Sequence, residues 1–172
     1  VLMTVVRKKP ELEKMVHGGY KMDINACKAQ IKRHEGEVLE IYLDTLGYKT
    51  LGIGHLCQPQ DPEYNWEVGT PVSQEVVDMY FEDDFTKHLQ EAIHVFGSER
   101  EFYGLPEPIQ MVLVNMCFNL GGSRLSNFKN MLSACRQHNW QEMANQMEDS
   151  KWYGQVGVRS RELKDMVLNV NG

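Results

Sequence analysis

Residues 34–55 read HEGEVLEIYLDTLGYKTLGIGH, and the periodicity of the chain changes within them. Up to Glu35, apolar residues recur at helical spacing (Ile24, Cys27, Ile31), and Gly36 then reads as a helix stop. From Leu39 to Cys57, β-branched and aromatic side chains sit between glycines. Asp44 to Gly47 reads as a turn between short strands, and Gly47, Gly52 and Gly54 mark tight bends. The stretch therefore predicts a helix feeding directly into a small antiparallel sheet.

Upstream, Asp23 is a candidate helix N-cap. Residues 1–22 hold charge and a Gly-Gly pair without periodicity and are expected to form a poorly ordered lead-in. Downstream, residues 58–72 (QPQDPEYNWEVGTPV) hold three prolines and predict a loop. Ser73 then caps a long helix with Val77, Phe81, Phe85, Leu89, Ile93 and Phe96 along one face. Glu107-Pro108 opens a helix to Leu120 that is apolar almost all round (IQMVLVNMCFNL), the signature of a buried helix. Gly121-Gly122 ends it, Ser126 reads as the start of the next, and Trp140 to Met147 forms another. A last amphipathic helix carries Leu163, Met166 and Val167. The expected class is α+β, with residues 23–172 as a single domain: a sheet-containing lobe at 36–72, a connecting helix at 73–96 and a helical lobe at 105–172. A cleft is expected between the lobes.

Bulk properties narrow the function. No run of 18 apolar residues exists, so no membrane span is expected, and the opening VLMTVVRKKP is too short and polar for a secretory signal. The net charge of −6, from 18 basic and 24 acidic residues, argues against nucleic acid as a partner. Cys27, Cys57, Cys117 and Cys135 allow two disulfides in three pairings, or buried free thiols, three of them on apolar helix faces. No CxxC or His/Cys ligand spacing is present, so neither metal nor cofactor is expected.

Two carboxyl groups in different surroundings are what glycoside hydrolysis requires, one protonated and one ionised. Glu35 ends a helix, where the negative pole of the dipole works against a carboxylate. Asp44 follows nine residues later across a turn, and Thr50 on the returning strand could hold a water beside it. By themselves these positions are also ordinary: a helix-end Glu is commonly solvated, and an Asp commonly opens a turn for its own hydrogen bond.

The string is more specific than its parts. His34-Glu35-Gly36, followed by Ile41-Tyr42, Asp44-Thr45, Gly47-Tyr48, Thr50 and Gly52-Ile53-Gly54-His55, resembles the catalytic segment of the T-even phage lysozyme family. The resemblance implies a muramidase with Glu35 as general acid, Asp44 positioning the attacking water and Thr50 binding it, with inversion at the sugar. It extends over about residues 25–170. It implies that His55 pairs with Asp84, that Arg159 contacts Glu35, and that Leu56, Phe118, Met131 and Gln146 line the substrate groove. Helical statistics alone would put Phe118 in the core. Bacterial peptidoglycan is the implied partner, acted on by a monomer without a cofactor and outside the cell that makes it.

The chain also departs from that family. The segment from Cys57 to Val72 is shorter, which implies a more open cleft wall. Met131 stands where the family has a small polar side chain, and Gln146 where it has an amide. The balance of charge is acidic where phage relatives are usually basic. The long helix carries Glu75, Asp78, Glu82, Asp83, Asp84 and Glu91 against Lys87, expected as a solvated face away from the cleft. The lead-in and cysteines suggest an exported host-defence form. Two other readings stay open: a non-catalytic wall-binding protein, and an enzyme of this fold acting on chitin or as a lytic transglycosylase. The latter would not need a carboxylate at Asp44.

Overall fold

The computed structural model describes residues 22–170, so the lead-in expected over residues 1–22 lies, apart from Met22, outside the described residues. Asp23 accepts a hydrogen bond from the Ala26 amide at 2.9 Å and starts α1 (Ile24–Glu35). This helix buries Cys27 and Ile31 and ends at Gly36, whose amide bonds the Lys32 carbonyl at a φ of 73°. Three strands follow, β1 (Val38–Leu43), β2 (Lys49–Gly52) and β3 (His55–Leu56), as an antiparallel sheet in the order β1-β2-β3. Tyr42 pairs with Thr50, and Thr50 in turn with Leu56, after an irregularity in β1 between Val38 and Tyr42. Gly52 explains how the sheet reaches the long helix. At a φ of 60° it is left-handed, and a Cβ there would lie 2.8 Å from Val77 Cγ1.

The segment after β3 is more ordered than its prolines suggest. Residues Pro62–Asn65 form a 3-10 turn, and buried Glu63 accepts from the Tyr80 hydroxyl at 2.6 Å. Residues 69–72 then run beside β1, exchanging backbone bonds with Leu39 and Ile41. Its prolines permit this because they occupy a turn start and an edge position, where no amide donor is needed.

Ser73 caps α2 (Gln74–Phe96), which buries Val77, Phe81, Phe85, Leu89 and Ile93 along one side. A short helix, α3 (Glu99–Tyr103), is capped by Ser98 between Gly97 and Gly104; five residues are too few to show a period in the sequence. The buried helix is α4 (Glu107–Leu120), with α1, α2, α3 and, further along the chain, α5 (Gly122–Ser126) packed around it. Ser126 therefore ends a short helix instead of starting one: its hydroxyl donates back to the Ser123 carbonyl at 2.5 Å. The next helix, α6 (Lys129–Arg136), begins after Phe128. Then come α7 (Trp140–Glu148), α8 (Lys151–Val156) and α9 (Val158–Leu168), with α9 closing on α4 and α7. Every fully buried Leu, Ile or Phe side chain in this bundle contributes roughly 1.5–3 kcal/mol. Among the described residues, no helix is long and apolar enough to cross a membrane.

All four cysteines are buried free thiols, and burial pushes Cys27, Cys117 and Cys135 up to about 12. Of the acidic residues of α2, Glu75, Asp78, Glu82 and Asp83 are exposed, as a solvated face requires, but three of the six also make tertiary links. Glu82 pairs with Lys28 of α1, Asp84 with His55, and Glu91 accepts the Gly122 amide of α5.

Candidate active site

Glu35 is the last residue of α1, and the sheet begins three residues later, so it stands at the junction of helix and sheet. Arg159, the second residue of α9, donates from one guanidinium nitrogen to Glu35 Oε1 at 2.6 Å. The other carboxylate oxygen lies against Gly54, where a Cβ would come within 2.8 Å of Oε2 at a φ of 64°. Glycine is thus needed twice over at this position, for backbone conformation and for space. The Glu35 side chain is 19% exposed and that of Arg159 8%.

Arg159 is itself held. Its Nε donates to Asn115 Oδ1 at 2.8 Å, and a further nitrogen to the Asn115 carbonyl at 3.2 Å. A guanidinium can only donate, so Oδ1 is the amide atom facing it, and the Asn115 NH₂ faces the other way. That group donates to Gln30 Oε1 at 3.0 Å and to His34 Nδ1 at 3.1 Å. With Nδ1 accepting, the proton sits on Nε2, which lies 2.6 Å from Glu162 Oε2. The bond from Arg33, against the opposing effect of burial and with help from His34, holds the Glu162 carboxyl down at about 2. A continuous chain therefore runs Glu162–His34–Asn115–Arg159–Glu35 across α9, α1 and α4.

Asp44 opens the turn after β1. Its Oδ1 accepts from the Leu46 amide at 2.9 Å and the Tyr48 amide at 2.8 Å, while its backbone amide bonds the Tyr48 carbonyl. Thr50, 4% exposed, donates from its hydroxyl to the Tyr48 carbonyl at 3.0 Å, which leaves the oxygen able to accept. Burial first, and then the negative fields of Glu35, Asp44 and Cys57, push the Tyr42 hydroxyl above its ordinary value.

His55 lies beneath this surface. Its Nδ1 is 2.7 Å from Asp84 and its Nε2 2.8 Å from Asp61, and the ring stacks on Tyr80 at 4.0 Å. Burial opposes its protonation, but the hydrogen bonds and charges of Asp84 and Asp61 outweigh it and raise its pKa.

The expected groove residues divide. Leu56 is 44% exposed on β3. Gln146 is half-buried on α7 and donates to Glu142 at 2.7 Å. Met131 departs from the expectation: at 1% exposure it packs in the hydrophobic core and presents nothing to a sugar. Phe118 is 8% exposed and lies edge-on to Phe81 and His88, so it too is a packing residue here. Both follow from apolar helix faces turning inward. Asp61 and Asn115 received no role from sequence reasoning. The available signal for Asn115 was an amide inside an otherwise apolar run; for Asp61 there was none beyond its place before a proline.

A sequence model of the phage lysozyme family matches residues 32–165, most of the 172-residue chain. The chain belongs to the phage lysozyme family. Among similar proteins, probable T4-type lysozyme 2 of Dictyostelium discoideum is 30% identical over 156 residues, covering 81% of this chain and 92% of that protein. The pre-baseplate central spike protein Gp5 of Enterobacteria phage T4 is 28% identical over 158 residues, 82% of this chain but 27% of the phage protein. Peptidoglycan hydrolase gp36 of Pseudomonas phage phiKMV is 25% identical over 144 residues, 83% of this chain and 15% of that protein. This phage lysozyme family member thus aligns from the end of α1 into α9, with Glu35 and Arg159 both inside the matched region.

Proposed function

We propose that this lysozyme-family chain hydrolyses the β-1,4 bond between N-acetylmuramic acid and N-acetylglucosamine in bacterial peptidoglycan, with inversion at the anomeric carbon. The observation that carries the reading is the seating of Glu35 at the end of α1 between Arg159 and Gly54, with Asp44 and Thr50 fixed by hydrogen bonds in the hairpin that follows. Glu35 acts as general acid, giving its proton to the leaving oxygen, while Arg159 and Gly54 fix where that proton points. Asp44 and Thr50 take hydrogen bonds from one water, turning its lone pair toward the anomeric carbon. Oδ1 of Asp44 is occupied by the turn, so Oδ2 serves as the base. The names of the similar proteins, T4-type lysozyme and peptidoglycan hydrolase, agree with this substrate class. In this reading the enzyme acts on cell walls after export or release.

Turbidity loss of purified peptidoglycan tests the proposal. Glu35→Gln is expected to lower the rate roughly 10²–10⁴-fold with an unchanged circular dichroism spectrum, and Asp44→Asn similarly. Fragments carrying one added water, released in the α configuration, are the expected products. Full activity of the Glu35 variant would remove that residue from its role, and 1,6-anhydro ends would replace hydrolysis by transglycosylation.

A further inference from the structure

Away from the carboxylates, α2 and α4 bring together three side chains with metal-binding chemistry. His88 and Glu91 are three residues apart on α2, which puts them on one helical face. Cys117 of α4 points at the same place, fully buried. The ligand atoms of His88, Glu91 and Cys117 all lie within 4.8 Å of one another. His88 Nδ1 is 3.4 Å from Glu91 Oε2, and Cys117 Sγ is 3.8 Å from the same oxygen. A tetrahedral ion holding sulfur at about 2.3 Å and nitrogen or oxygen at about 2.0–2.1 Å spaces its ligand atoms roughly 3.3–3.6 Å apart. Two edges of the triangle are therefore already near the required length.

A second observation points the same way. His88 Nδ1 is buried and has no hydrogen-bond partner among the described residues, although a carboxylate oxygen lies nearby. Such an atom ordinarily finds a partner, and a cation shared with Glu91 and Cys117 would supply one. The surroundings fit a supporting shell. The Gly122 amide donates to Glu91 Oε2 at 2.7 Å, and Phe118 meets the His88 ring edge-on at 5.1 Å, fixing its plane. Glu91 Oε1 remains with Lys87, at 3.9 Å.

We propose that His88, Glu91 and Cys117 form a binding site for a borderline-soft divalent cation of the zinc class, which ties the long helix to the central one. The mixed nitrogen, oxygen and sulfur set disfavours magnesium and calcium, which take oxygen ligands. Three protein ligands leave the fourth position to water at the His88 edge, where that side chain is 17% exposed. Binding replaces the S–H bond of Cys117 by a metal–thiolate bond and releases one proton to solvent. The expectation from sequence spacing was that no metal would be held. The site escapes spacing rules because its third ligand comes from a helix 26 residues further on.

Cobalt(II) and zinc(II) titrations of the chelator-treated, full-length protein test this. Cobalt is expected to give one equivalent of tetrahedral visible absorption with a thiolate charge-transfer band, displaced by zinc, and zinc is expected to raise the melting temperature in a concentration-dependent way. Cys117→Ser should abolish the charge-transfer band, and His88→Gln should weaken cobalt binding by more than the roughly tenfold to hundredfold typical of lost outer-shell partners. Cys135→Ser, which alters a buried thiol outside the cluster, should change neither. His88 is partly exposed, so its variant remains informative if Cys117→Ser does not fold. Absence of the band, its survival in Cys117→Ser, or undiminished cobalt affinity in His88→Gln would overturn the proposal.

Discussion

Gly54 has no side chain, yet it sets the position of one that matters. Its backbone packs on the Glu35 carboxyl at a φ that other residues adopt only at a cost of about 1–2 kcal/mol. Gly54→Ala is expected to cut turnover on peptidoglycan by on the order of a hundredfold, with KM much less affected, because a displaced acid loses alignment before it loses substrate. Steady-state kinetics at matched folded fractions measure this, and an unchanged kcat would show that the close contact is dispensable. Asn115 works through other groups. Its buried amide satisfies the buried Arg159 on one side and the half-buried His34 and Gln30 on the other. Asn115→Leu keeps the volume approximately but strands those partners, so it should cost about 1–3 kcal/mol in urea unfolding. A stability equal to the parent's would mean the chain of bonds carries no net energy.

Among the elements, the junction of sheet, 3-10 turn and long helix is fastened by His55. The ring joins β3 to Asp84 of α2 and to Asp61 just before the turn, while Tyr80 stacks on it and donates to Glu63. Because the folded state raises the pKa of this histidine, protonation favours folding. The contribution is fully present below the unfolded value of about 6.5 and is lost as pH rises through the folded value. Asp84→Asn is therefore expected to destabilise the protein most near pH 5.5 and least near pH 9, read by denaturant midpoints across pH. A gap that widens toward alkaline pH would contradict this assignment of sign.

For the molecule as a whole, the net charge of −6 opposes approach to an anionic wall. Of the cations after Ser150 (Lys151, Arg159, Arg161 and Lys164), two are neutralised within the fold. Arg159 is buried on Glu35 and Asn115, and Lys164 is paired with Glu148. Wall clearing should consequently be slow at low ionic strength and should change little, or rise, as salt screens the repulsion. Rates measured across a salt series decide the matter, and a steep fall with added salt would mean that a cationic surface drives binding after all.

Local chemistry was readable in the sequence: the caps at Asp23 and Ser73, the stop at Gly36, the Asp44 turn and the inward character of α4. Each depends on residues within a turn or two of one another, where periodicity and side-chain donors act directly. The pairing of Glu35 with Arg159 and of His55 with Asp84 was legible only as part of a family pattern, since 124 and 29 residues separate the partners. Tertiary packing alone decided that Met131 and Phe118 turn into the core, that Asp61 takes the second nitrogen of His55, and that Asn115 orders the arginine. It also decided that His88, Glu91 and Cys117 converge. These are contacts between elements, made when apolar faces close on one another, and a linear pattern carries no record of which polar groups that closure traps together.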